Sequence, residues 1–194
     1  MKHRVLSREQ STALKGFAIA IVILCHVGNH YTRVFTPLGG IGVALFLTLS
    51  GYGLECSYEA HGLTDFWKKR LISVFLPYLI VEAVTIPLRD DFHLGEFILD
   101  ITLLNPQHPL GWYMNYLLLW YVTFWIIKKL PIAKKEQLFV VAAICYAIFF
   151  LFTNSLRFEQ SIAFVGGMYL YRFVSIESNP AKQLSKWGGV LQYA

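Results

Sequence analysis

An all-α, polytopic integral membrane bundle of about six transmembrane helices, with both termini cytoplasmic, is the fold this sequence predicts, on three observations. The first is composition: of 194 residues, 56% are hydrophobic and 16% aromatic, and only 15% are charged, against roughly 25% charge in a typical soluble domain. With a mean hydropathy of +0.49, a soluble enzyme, a nucleic-acid reader and a disordered tail are poor fits. The second is that the apolar residues gather into six runs, each near the roughly 20 residues a helix needs to cross the hydrocarbon core. The third is that Lys and Arg fall in short clusters between those runs, the pattern that orients helices in a bilayer.

The first run extends from about Thr12 to Asn29 behind the basic start Lys2, Arg4 and Arg8. It lacks a small-x-small cleavage pattern, so it is expected to stay as an anchor. The second runs from about Leu38 to Cys56, and the third from about Leu71 to Leu88, with Pro77 and Pro87 in or near it. Between about Phe92 and Leu104, apolar residues recur at helical spacing among charges, which fits either a helix lying at the membrane interface or an ordinary loop. The fourth, fifth and sixth runs cover about Leu110 to Ile127, Gln137 to Thr153 and Ser161 to Ser175. No linker or repeat interrupts them, so residues 1–194 read as a single domain. The segment Gly188 to Ala194 resembles the opening of another apolar run, and the chain is expected to continue beyond it.

With the N-terminus inside, the cytoplasmic segments collect Lys2, Arg4, Arg8 and Lys15, then Lys68, Lys69 and Arg70, then Lys128, Lys129, Lys134 and Lys135, and last Arg172, Lys182 and Lys186. Of the 17 Lys and Arg, only Arg33, Arg89 and Arg157 remain outside, as the positive-inside rule requires. The net charge of +5 is therefore read as orientation, and no nucleic-acid partner is expected. Cys25, Cys56 and Cys145 stand alone in apolar stretches, which suits small core residues and points to neither a metal site nor a disulfide framework.

Ionisable residues inside apolar runs are costly and call for a reason. His26 is the sharpest case, because a neutral imidazole in a polar cavity can accept or relay a proton; a hydrogen-bonded core histidine is the structural alternative. Lys15 lies eleven positions earlier, which on a helix returns to within about 20° of the same face, roughly 16 Å away along the axis. One face thus carries a cation at the rim and an imidazole deeper in, suited to an extended anionic donor, although Lys15 alone also reads as a snorkelling flank residue. Ser50 and Tyr52 supply hydroxyls in the glycine-rich second run, where packing is the other reading. Lys68, Lys69 and Arg70 precede the proline-containing third run and suit either a phosphate-bearing ligand or topology. Glu82 lies inside that run as a cavity or hydrogen-bonded residue. His30, one turn from His26, has no third ligand near it, so no metal is expected. His108 stands before the fourth run.

Taken in order, Lys15 and His26 at a basic-x10-His spacing, Leu45-Phe-Leu-Thr-Leu-Ser-Gly-Tyr52, Phe66-Trp-Lys-Lys-Arg70 leading to Pro77-Tyr78, and Leu110-Gly-Trp-Tyr113 resemble the acyltransferase 3 family of bacterial membrane O-acyltransferases. The resemblance covers about residues 8 to 175. It implies a multi-pass protein of the bacterial inner (cytoplasmic) membrane that moves a short acyl group, usually acetyl, from acyl-CoA to a hydroxyl of a cell-surface carbohydrate or its precursor. Acyl-CoA is then a co-substrate, and no other cofactor is implied. By the same resemblance His26 is the catalytic base or relay, Lys15, Arg70 and Lys69 bind the donor, and Ser50, Tyr52, Glu82, Trp112 and Tyr113 line the cleft. Two features depart from the family pattern: Ser73 and Val74 stand where a second basic residue usually follows, and six runs stand where about ten spans are usual. A non-catalytic membrane subunit or pseudoenzyme, and a small proton-coupled transporter using His26 and Glu82, are the competing functions.

Overall fold

A computed structural model describes residues 6–85, 94–103, 111–132, 135–152 and 155–177. The expectations placed on Lys2, Arg4, Pro87, Arg89, His108, Lys134, Lys182, Lys186 and the segment Gly188 to Ala194 lie outside the described residues. Among the described residues every regular element is helical, and each of the six apolar runs is helical over its described part apart from turn residues at run ends, Asn29, Phe152, Ser161 and Ile162. Two of these helical stretches, Glu9–Gly28 and Arg33–His61, are long and apolar enough to cross a membrane. Their most apolar windows are only 17% and 22% buried, so the apolar length faces outward, unlike a soluble protein's core helix.

Helix α1 (Arg8–Gly28) opens on a capping box: the Ser7 hydroxyl accepts from the Gln10 amide at 3.1 Å, and the Gln10 side chain accepts from the Ser7 amide at 2.8 Å, satisfying two donors that the first turn would otherwise leave bare. At its other end the Thr36 hydroxyl donates to the Asn29 side chain at 3.1 Å, tying the end of α1 to the start of α2 (Thr36–His61). A short 3₁₀ turn, Arg33–Phe35, links them.

The third run is one continuous helical path in three parts: α3 (Phe66–Arg70), a π-helical turn over Leu71–Phe75, and α4 (Leu76–Thr85). Pro77 has no amide hydrogen, and its ring crowds the carbonyl four residues back. The widened turn just before it accommodates this locally, so the effect of the proline takes the form of a π turn. Helix α5 (Leu94–Thr102) occupies the segment for which helix and loop were both open. Leu103, at a φ of 56° and buried, follows it, and its carbonyl accepts from the Asn115 side chain at 2.6 Å. Helices α6 (Gly111–Lys129), α7 (Lys135–Leu151) and α9 (Ala163–Glu177) match the last three runs. The five-residue α8 (Ser155–Glu159) has no counterpart in the apolar pattern.

The chain divides into two compact units. The first holds α1, α2 to Ala60, α7 from Glu136, α8 and α9; the second spans His61–Lys135 and holds α3 to α6.

Within the first unit, α2 and α9 cross closely enough that glycine is required at the contact. A Cβ on Gly51 would run into the Phe164 carbonyl, and one on Gly167 into the Thr48 backbone. The Thr48 hydroxyl donates to the Ala163 carbonyl across the same crossing at 3.2 Å. Gly166, adjacent in sequence, has open space at its Cβ position. Gly167→Val is accordingly expected to cost at least about 1–3 kcal/mol through overpacking, whereas Gly166→Ala is expected to be neutral or to gain up to about 1 kcal/mol of helix propensity. Thermal unfolding of the two variants in detergent checks this, and equal effects would contradict the crossing.

Candidate functional site

Lys15 and His26 both lie on α1, His26 in its last turn. The stripe of α1 that packs inward includes Ala18, Cys25 and Gly28, with Leu14, Ile21 and Val22 half-buried beside it. Counting 100° per residue places Lys15 and His26 together on a flank about 100° round from the middle of that stripe, and both side chains are exposed. The two residues therefore share a face, as the spacing predicts, and that face is uncovered by the described residues.

Tyr52 is buried on α2, and its hydroxyl accepts from the Leu6 amide at 3.1 Å. Its ring meets Tyr171 of α9 edge to face at 5.3 Å. Ser50, two residues earlier, is half-buried and points to a different side of α2.

Around Tyr52 lies a polar network that the sequence pattern did not single out. Arg172 of α9 donates from Nε to Glu55 Oε1 at 2.8 Å, and its two terminal nitrogens pair with Glu55 and Glu136. The Tyr171 hydroxyl donates to Glu59 at 2.6 Å. Glu55 is 2% exposed, so its charge depends on this pairing. A carboxylate buried four residues short of a helix's charged end was the available signal, but Glu55 was read as part of the second apolar run.

In the second unit, Lys69 and Arg70 end α3. Lys69 is exposed and its ammonium lies 3.5 Å from the Thr64 carbonyl oxygen. Arg70 is half-buried with its guanidinium 4.8 Å from the centre of the Phe66 ring, and among the described residues no carboxylate pairs with it. Burial draws the Arg70 guanidinium below its ordinary value, and the nearby Tyr121 phenol draws it back up; an arginine stays charged regardless. The local need is thus for negative charge.

Trp112 and Tyr113, at the start of α6, stand edge to face at 6.2 Å and are half-buried. Phe66 of α3 packs on Phe124 near the other end of α6, so the Trp112 pair lies about 18 Å along the helix from the Arg70 end. Glu82 is buried in α4 at 1% exposure. Lys15, His26, Ser50 and Tyr52 belong to the first unit, and Lys69, Arg70, Glu82, Trp112 and Tyr113 to the second.

A family model described as an acyltransferase domain matches residues 9–190. No curated protein matches, and no solved structure does.

Proposed function

The chain belongs to the acyltransferase 3 family, a family of membrane acyltransferases, and on that premise we propose that it transfers a short acyl group, acetyl above all, from acyl-CoA to a hydroxyl of a cell-surface carbohydrate or its precursor. The observation that carries the reading is the shared face of α1, with a cation at Lys15 and an imidazole at His26 some 16 Å apart along one helix, inside the matched region.

In this reading the protein lies in the bacterial inner membrane with the N-terminus cytoplasmic. Each unit by itself carries cations suited to charge-assisted contacts with the donor's phosphates, Lys15 in the first and Lys69 and Arg70 in the second. His26 takes the proton of the acceptor hydroxyl as that oxygen adds to the thioester carbonyl. The carbon–sulfur bond then breaks, the proton passes from His26 to the departing sulfur, and the products are an ester and the free thiol of CoA. Tyr52, Ser50 and Glu82 shape the surroundings. Trp112 and Tyr113 offer ring faces to a sugar.

The test is thiol release by the purified chain in detergent, supplied with acetyl-CoA and mono- or oligosaccharide acceptors. Release that depends on the acceptor is the expected outcome. An absence of release with acetyl-, propionyl- and succinyl-CoA alike would overturn the proposal.

A further inference from the structure

His26 stands in the last turn of α1, the part of a helix that frays most readily, because its final carbonyls have no partner within the helix. A catalytic group works only where it is held to within about 0.5 Å of the productive geometry, and a misplacement of about 1 Å can cost some 10²-fold in rate. An exposed imidazole at a helix end therefore needs the turn beneath it fixed.

The first unit fixes that turn in two ways. Cys25 and Asn29, one helical turn apart and bracketing His26, close a polar ring with Thr36, the first residue of α2. The Asn29 side-chain amide donates to the Cys25 sulfur at 3.5 Å, the Cys25 thiol donates to the Thr36 carbonyl at 3.6 Å, and the Thr36 hydroxyl donates to Asn29 Oδ1 at 3.1 Å. Beside the ring the two helices meet without slack. A Cβ on Gly39 would stand 2.8 Å from the Cys25 sulfur, one on Gly42 would stand 2.9 Å from the Ala18 carbonyl oxygen, and one on Gly28 would run into the Phe35 ring. Cys25 is 5% exposed and takes part in both the ring and the close contact. Packing by itself would be served by any small apolar residue at position 25. A thiol bonded on both sides, one residue before the imidazole, also sets the rotation of the turn.

We propose that Cys25, Asn29 and Thr36 are positioning residues for His26. They fix the height and rotation of the last turn of α1 against α2, and with them the direction from which the imidazole meets the acceptor hydroxyl. None of the three takes part in the proton transfer itself. This rests on the reading of His26 as the base given above.

Thiol release and amide hydrogen exchange along α1, both on the full chain in detergent, test the proposal in four variants. Thr36→Val keeps the side-chain shape without the hydroxyl at an exposed position, and Thr36→Ser restores the hydroxyl. Gly39→Ala drives a methyl against the Cys25 sulfur; adding Cys25→Ala removes that sulfur and leaves ordinary contact with the Cβ of residue 25 at 3.5 Å, with the Asn29–Thr36 bond still in place. Thr36→Val and Gly39→Ala are expected to lower kcat at least about tenfold and to leave the KM for acetyl-CoA within about twofold of wild type. Thr36→Ser then recovers most of the loss, and Cys25→Ala/Gly39→Ala recovers part of it. Exchange of the last-turn amides rises in the two damaged variants and falls back in the two repaired ones. An unchanged kcat in Thr36→Val, or a paired variant no better than Gly39→Ala alone, would overturn the proposal, as would a rise in KM at constant kcat. A wild type that releases no thiol overturns the functional reading instead. Hydrogen exchange then decides the clamp by itself: last-turn amides as well protected in Thr36→Val as in wild type would overturn it.

Discussion

Arg172→Met is expected to destabilise the first unit by about 3–5 kcal/mol, the usual cost of removing one partner from a buried ion pair. Arg172 makes bonds to two helices at once, to Glu55 on α2 and to Glu136 on α7, so its loss strips the guanidinium from a carboxylate that is 2% exposed. Arg172→Lys keeps the charge but not the planar fork that reaches both acids, and an intermediate loss is expected. Combining Arg172→Met with Glu55→Gln removes both members of one bonded pair, so the two together should cost less than the sum of the singles. Denaturant-induced unfolding in mixed micelles, followed by circular dichroism, measures all three. A loss below about 1 kcal/mol for Arg172→Met would mean that the network is peripheral.

His26→Gln is expected to lower turnover by about 10²–10⁴-fold, the range that a positioned general base contributes, while leaving the fold intact. The side chain is exposed at the end of α1, so packing is not disturbed, and glutamine retains hydrogen bonding without a basic nitrogen. His30→Gln serves as the control, since His30 stands one turn further on beyond the last residue of α1 and has no assigned role. Initial rates of thiol release at saturating acetyl-CoA give the comparison. Equal losses in the two variants would remove His26 from the chemistry.

Much of the helical architecture was legible because long apolar runs bounded by charge, Gly or Pro are written plainly in the sequence. The predicted runs and the observed helices coincide to within a few residues, with α2 continuing past Cys56 to His61 through Glu59, which accepts from the Tyr171 hydroxyl. The shared face of Lys15 and His26 was legible because helical periodicity converts spacing directly into direction. What the sequence concealed are features that depend on two distant segments meeting. Gly166 and Gly167 look alike in the sequence, yet only Gly167 stands against another backbone, that of Thr48. Phe124 and Trp125 look like ordinary members of an apolar run until they dock on Phe66 and Trp67. The π turn over Leu71–Phe75 had no signal in the sequence beyond the presence of Pro77 in the third run.

The measurement that tests the central claim most directly separates binding from chemistry on α1: the affinity for acetyl-CoA and the rate of thiol release, taken side by side for wild type, Lys15→Ala and His26→Gln. The account predicts that His26→Gln binds acetyl-CoA as wild type does and fails to turn it over, whereas Lys15→Ala loses affinity and recovers rate as the donor concentration rises. Wild-type rates in both variants, or a wild type that neither binds nor cleaves acetyl-CoA, would contradict it.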